Sequence, residues 1–141
     1  MLSTHTQSLL KRSTLAIGAV IILSTLGAAP AFAKACKNVH IEVKNTSGQE
    51  IKIIDLDYWD SESEKWRSEP VSNQVIKNNR TWQIQRNLER VNGQPVKLRV
   101  EYKERKWNKL LKKWVWAARK SKKHSTSKQC KRNSEYMMSI R

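Results

Sequence analysis

The chain has 141 residues, 28 Lys or Arg against 12 Asp or Glu, and a formal net charge of +16. With four glycines in all it has no Gly-rich phosphate loop, and two cysteines without a C-x-x-C pair or a paired histidine do not make a zinc site. Such a balance points to an anionic partner, or to a highly soluble coat, before it points to chemistry.

The N-terminal region reads as an address. Lys11 and Arg12 precede an apolar run over residues 15–26, and small residues follow, with Ala31 and Ala33 placed for a cut before Lys34. This is the pattern of a secretory signal peptide over 1–33. The run falls short of the about 18 to 20 apolar residues that span a bilayer. Lys34 also argues against Cys36 as a lipidated first residue. The expected mature chain, 34–141, is one small domain with 26 bases and 12 acids, net +14, exported to a periplasm or secreted. In that oxidising setting Cys36 and Cys130, the only cysteines, are expected to pair. The bridge brings the first and last strands of the domain together.

The body alternates between apolar and polar residues. Val39, Ile41 and Val43 make a strand with one wet face carrying His40, Glu42 and Lys44. A turn follows at 45–48. The next strand, 49–59, slips phase: Ile51 and Ile53 have one parity, Leu56 and Tyr58 the other, so a β-bulge is expected near Ile53 and Ile54. An acidic loop at 60–64 leads to a short strand at 65–67 and a weak one at 71–76. Residues 81–88 alternate through Trp82, Ile84 and Leu88, with Arg86 out of pattern. After the Asn92-Gly93 turn, Val96, Leu98, Val100 and Tyr102 form the cleanest strand. Residues 113–119 form another, 121–129 a polar loop, and Tyr136, Met138 and Ile140 the last. About seven strands at short spacing indicate an all-β fold, a small antiparallel β-sandwich, Ig-like in architecture by analogy, with one disulfide.

Residues 97–132 concentrate the charge: fifteen Lys or Arg, two acids, and three of the six tryptophans. Within this stretch Trp107, Leu110, Leu111 and Trp114 fall at i, i+3, i+4 and i+7, which alone reads as an amphipathic helix. The alternation on both sides favours a long hairpin with its tip near 107–110. The candidate ligand-binding residues are Lys103, Arg105, Lys106, Trp107, Lys109, Lys112, Lys113, Arg119, Lys120, Lys122 and Lys123. Trp82 and the parity of Trp114 and Trp116 are expected in the core, and Trp59, Trp66 and Trp107 on the surface.

These features predict a non-enzymatic exported protein that binds an anionic surface or polymer: membrane lipid, an acidic glycan or an acidic protein. Nucleic acid is a less favoured partner, and no metal or cofactor is expected. A membrane-active toxin or cytolysin uses the same hairpin and is the alternative. A metal-free ribonuclease is a further one; it needs His40 and His124 brought together as an acid–base pair. The cluster Asp55, Asp57, Asp60, Glu62 and Glu64 lacks the spacing of a calcium loop. Two glycosylation patterns, at Asn45 and Asn79, are short and weak.

Overall fold

The computed structural model describes residues 34–141; the expected signal peptide, residues 1–33, lies outside them. Where the sequence alternates, the chain is extended and one side of each strand is buried. In β1 (Cys36–Asn45), Val39, Ile41 and Val43 are inaccessible to solvent while His40 and Lys44 are exposed. The same holds in β2 (Ile51–Asp60), β7 (Leu98–Asn108) and β11 (Glu135–Ile140), and more weakly in β5 (Thr81–Leu88), whose inner side is half-buried apart from Leu88. Shorter strands are β3 (Lys65–Glu69), β4 (Val75–Ile76), β6 (Pro95–Val96), β8 (Lys113–Trp116), β9 (Ser121–His124) and β10 (Lys128–Gln129). The fold is therefore all-β, with eleven strands where about seven were expected. The additions are short: β6, and the β9 and β10 pieces inside the expected polar loop 121–129.

The strands form two packed sheets and a small ribbon. The smaller sheet has the order β11-β1-β5, the larger β3-β2-β7-β8 with β4 on β2 and β9 on β7, and β10 pairs with β6. All pairings are antiparallel except β1 with β11, which run parallel. The core lies between the sheets. Val39, Ile41, Val43, Tyr136, Met138 and Ile140 from one side meet Ile51, Ile53, Leu56, Tyr58, Leu98 and Val100 from the other. The β2 phase slip is a bulge: Ile53 pairs with Tyr102 and Asp55 with Glu101, which leaves Ile54 as the extra residue. This inserted residue lets both apolar parities of β2 reach the core.

Two tethers close the domain. Cys36 and Cys130 are bridged, with Cα atoms 6.0 Å apart. Because β1 pairs directly with β11, the first and last long strands are neighbours, as the bridge implied. Asn45 is the second tether. Its buried amide donates to the Gln49 carbonyl at 2.7 Å and the Ile76 carbonyl at 2.9 Å, and its Oδ1 accepts from the Ser47 amide and hydroxyl. That burial removes Asn45 from any role as a glycan acceptor.

Trp82 packs half-buried against the core, as expected. Trp114 and Trp116 do not enter it. Their strand, β8, pairs with β7 so that Trp114 lies opposite Trp107 and Trp116 opposite Arg105, which puts both indoles on the outward face of the large sheet, away from the core. Arg86, opposite Val39 of β1, breaks the β5 pattern and is half-buried. Its guanidinium donates to the Pro70 carbonyl at 3.0 Å and lies 3.6 Å from Glu69.

Candidate functional site

The amphipathic run at 104–116 is a hairpin, not a helix. β7 pairs with β8 through Arg105–Trp116, Lys106–Val115, Trp107–Trp114 and Asn108–Lys113. Its turn spans 109–112, two residues beyond the expected tip. The Leu111 amide donates to Asn108 Oδ1 at 2.9 Å, and Lys112 takes a left-handed φ of 47° to close the loop. The helical spacing of Trp107, Leu110, Leu111 and Trp114 has another outcome here. The two tryptophans meet edge to face across the strands, with centroids 5.8 Å apart, and the leucines are exposed in the turn that joins those strands.

This arm projects past the rest of its sheet. β2 begins opposite Glu104, and the last backbone link across that edge is Arg105 N–H to the Glu50 carbonyl at 2.9 Å. On the other edge, β8 gives way to β9. Between the pairs Arg105–Trp116 and Tyr102–Ser121, four residues, 117–120, oppose two, Lys103 and Glu104. The excess bulges out and carries Arg119 and Lys120. An open groove of about 280 Å³ lies beside the arm, lined by Gly48, Gln49, Glu50, Asn78, Arg105 and Trp114.

Strand pairing splits the expected basic surface in two. Lys103, Arg105, Trp107 and Lys122 lie on the outward face of the large sheet, with Trp114 and Trp116 beside them. Lys106, Lys113 and Lys123 have the opposite parity. Lys109 and Lys112 are in the turn. The cations also differ in pairing. Arg105 is paired with Glu50, Lys106 lies 3.3 Å from Glu104, and Lys120 and Lys122 share Glu101 at 3.4 and 3.0 Å. Among the described residues, Lys103, Lys109, Lys112, Lys113, Arg119 and Lys123 have no acid within ion-pair distance. The bonds from Lys122, and then from Lys120, hold the Glu101 carboxyl below the usual glutamate range against the effect of burial.

Farther along the same face, the aromatic and basic groups are fully engaged. Arg99 stacks 4.3 Å over Trp66, whose ring also meets Trp59 at 5.4 Å and His124 at 5.7 Å. Trp59 and Trp66, expected on the surface, are half-buried by these contacts. Arg99 Nε donates to Asp57 Oδ2 at 2.8 Å. Burial raises the Asp57 carboxyl above its ordinary value, and the Arg99 bond only partly offsets this. Partial burial, with Lys97, Arg99 and Lys122 close by, lowers the His124 imidazole.

The residues weighed for chemistry are not brought together. His40 lies on the outward face of the small sheet, in an open depression of about 350 Å³ with Glu42, Gln83, Gln85, Glu135 and Met137. His124 lies on the outward face of the large sheet. The two histidines are therefore on opposite sides of the sandwich. The acids of 55–64 are occupied locally: Asp57 by Arg99, Asp60 by Arg67 at 2.6 Å, and Asp55 by the Ser68 hydroxyl at 2.8 Å. Among the described residues no group of three or more His, Cys, Asp or Glu is arranged to hold a metal.

Four groups lay outside the expected site: Leu110, Leu111, Trp114 and the Lys52–Trp116 pair. The ammonium of Lys52 is 4.9 Å from the Trp116 ring. The spacing of 107, 110, 111 and 114 was the signal for the first three. It marks residues that share a side of a helix, and a four-residue turn between paired strands gathers the same positions. The chain matches no protein-family model, no curated protein and no solved structure.

Proposed function

We propose that the protein is an exported, non-enzymatic binding module that engages an anionic partner through the β7–β8 arm. One observation carries this reading: from Arg105 to Trp116 there are five cations and no acid, and the three at the tip, Lys109, Lys112 and Lys113, have no acid within ion-pair distance among the described residues. Unpaired cations on a projecting element attract an anion at long range and keep their charge available on contact. The disulfide is in keeping with export. The separation of His40 from His124 favours binding over acid–base catalysis.

The test is triple charge reversal, Lys109→Glu with Lys112→Glu and Lys113→Glu. These side chains are exposed, so the fold should persist. Affinity for heparin and for anionic vesicles is expected to fall by about tenfold or more at low salt, with a shallower salt dependence. An unchanged affinity for both sinks the proposal. The membrane-active alternative uses the same arm. Dye release from anionic vesicles separates them, since a passive binder releases none.

A further inference from the structure

Charge explains only half of the arm. Leu110 is 90% exposed, Leu111 54%, Trp114 51% and Trp107 50%, and these are four of the six large exposed hydrophobic residues in the described domain. All four lie on the β7–β8 arm: Trp107 and Trp114 pack edge to face, and Leu110 and Leu111 are in the turn that joins their strands. A contiguous apolar patch ringed by cations is uncommon on a soluble surface unless something covers it. A soluble polyanion rewards the lysines and could stack on an indole, but it gives nothing to Leu110 and Leu111, which have no π-face and no polar atom.

We infer that the tip seats in the interface of an anionic phospholipid bilayer. Trp107, Leu110, Leu111 and Trp114 lie below the phosphates, and Lys106, Lys109, Lys112 and Lys113 lie among them. This rests on the anionic-partner reading above and names the occupant. The chemistry fits at each level. Leucines at the turn are the first groups to reach hydrocarbon. Indoles at the next pair of positions match the headgroup boundary, where their N–H groups stay hydrated. Lysine stems lie along apolar surface while their ammonium groups reach back to the phosphates. The turn closes its own amide at Leu111 onto Asn108, so that donor enters the interface satisfied. Beyond Arg105, whose amide bonds the Glu50 carbonyl, no strand among the described residues pairs with this outer edge of β7.

The experiment compares oxidised residues 34–141, which contain the whole core and the disulfide, with a Leu110→Ser, Leu111→Ser variant that keeps every charge. The probes are vesicles of phosphatidylglycerol with phosphatidylcholine, vesicles of phosphatidylcholine alone, and heparin. The wild-type chain is expected to bind the anionic vesicles with a blue-shifted tryptophan emission that brominated acyl chains quench. The variant should lose about tenfold in affinity for those vesicles while its heparin affinity stays within about twofold. Equal vesicle affinity for the two proteins, or emission that neither shifts nor is quenched, overturns the insertion and leaves the anionic-partner reading standing. Binding to heparin without binding to anionic vesicles does the same. If the wild-type chain binds neither, both fall.

Discussion

Trp66 and Trp107 lie on the same face of the same sheet, each close to basic residues, and they are in opposite situations. Around Trp66 every group has a partner: Arg99 covers the ring, Asp57 holds Arg99, and Trp59 and His124 close the edges. Among the described residues, the ring contact of Trp107 is with Trp114, and Lys109, Lys112 and Lys113 beyond it have no acid within ion-pair distance. The residue types are alike in the two regions. The difference lies in whether acids and neighbouring strands are within reach. Two further strands, β3 and β9, and the acids of β2 flank Arg99 on this face; past Glu104 the arm has lost all of them. Tryptophan beside cations is thus a structural clamp in one place and an unoccupied surface in the other.

The largest effect that sharpens this contrast comes from the disulfide. Opening it with reductant, or by Cys130→Ser, releases a closed loop of 94 residues and should destabilise the body by up to about 4 kcal/mol. Chemical denaturation with and without reductant measures it. The arm's tip, which makes no contact with that core, should contribute nothing to the difference.

Substitution on the two sides of the comparison should then diverge. Arg99→Ala leaves the buried Asp57 carboxylate without its guanidinium and uncovers Trp66, so a loss of about 2 to 3 kcal/mol is expected. Lys112→Ala, in the arm, should change stability by less than about 0.5 kcal/mol. Thermal unfolding of the two variants side by side reads this. Similar losses in both would mean that the tip is as integrated as the clamp.

An effect smaller than the loss of Arg99 is one of pH. Glu101 is held below the ordinary glutamate value in the folded state, first by its bond from Lys122. In the window between that lowered value and the ordinary one, the unfolded chain binds the extra proton, so stability rises with pH. The contribution is complete above the ordinary glutamate value and is lost as pH falls through the lowered one. Glu101→Gln should remove about 1 kcal/mol at neutral pH and flatten the acid limb of the stability curve. Asp57 and Glu69 are raised by burial and act in the opposite sense, while Asp60, which burial raises but bonds from Arg67 and Ser63 bring below its ordinary value, acts with Glu101, so the wild-type slope is the net of all four. A variant with an unchanged acid limb would show that Lys120 and Lys122 do not hold Glu101 in solution.

Much of the fold was legible along the chain because burial on one side of a strand imposes period two. That rule placed β1, β2 with its bulge at Ile54, β5, β7 and β11, and the pairing of Cys36 with Cys130 followed from count and compartment. The hairpin was legible as well, although its local pattern mimicked a helix. Continuity with the flanking strands decided the matter, because a helix so short gains little unless it packs. The tertiary structure alone decided the rest. The parallel pairing of β1 with β11, and the strands inside residues 121–129, depend on neighbours distant in sequence. The fate of the tryptophans does too. Trp114 has the alternation of a core residue, yet its register opposite Trp107 turns it to the outward face of the sheet. Charge counting could locate fifteen bases within residues 97–132, but it could not tell Lys122, bound to Glu101, from Lys112, which has no acid within ion-pair distance among the described residues. Which groups are paired depends on strand register, and register is set across the sheet by partners that a one-dimensional pattern does not contain.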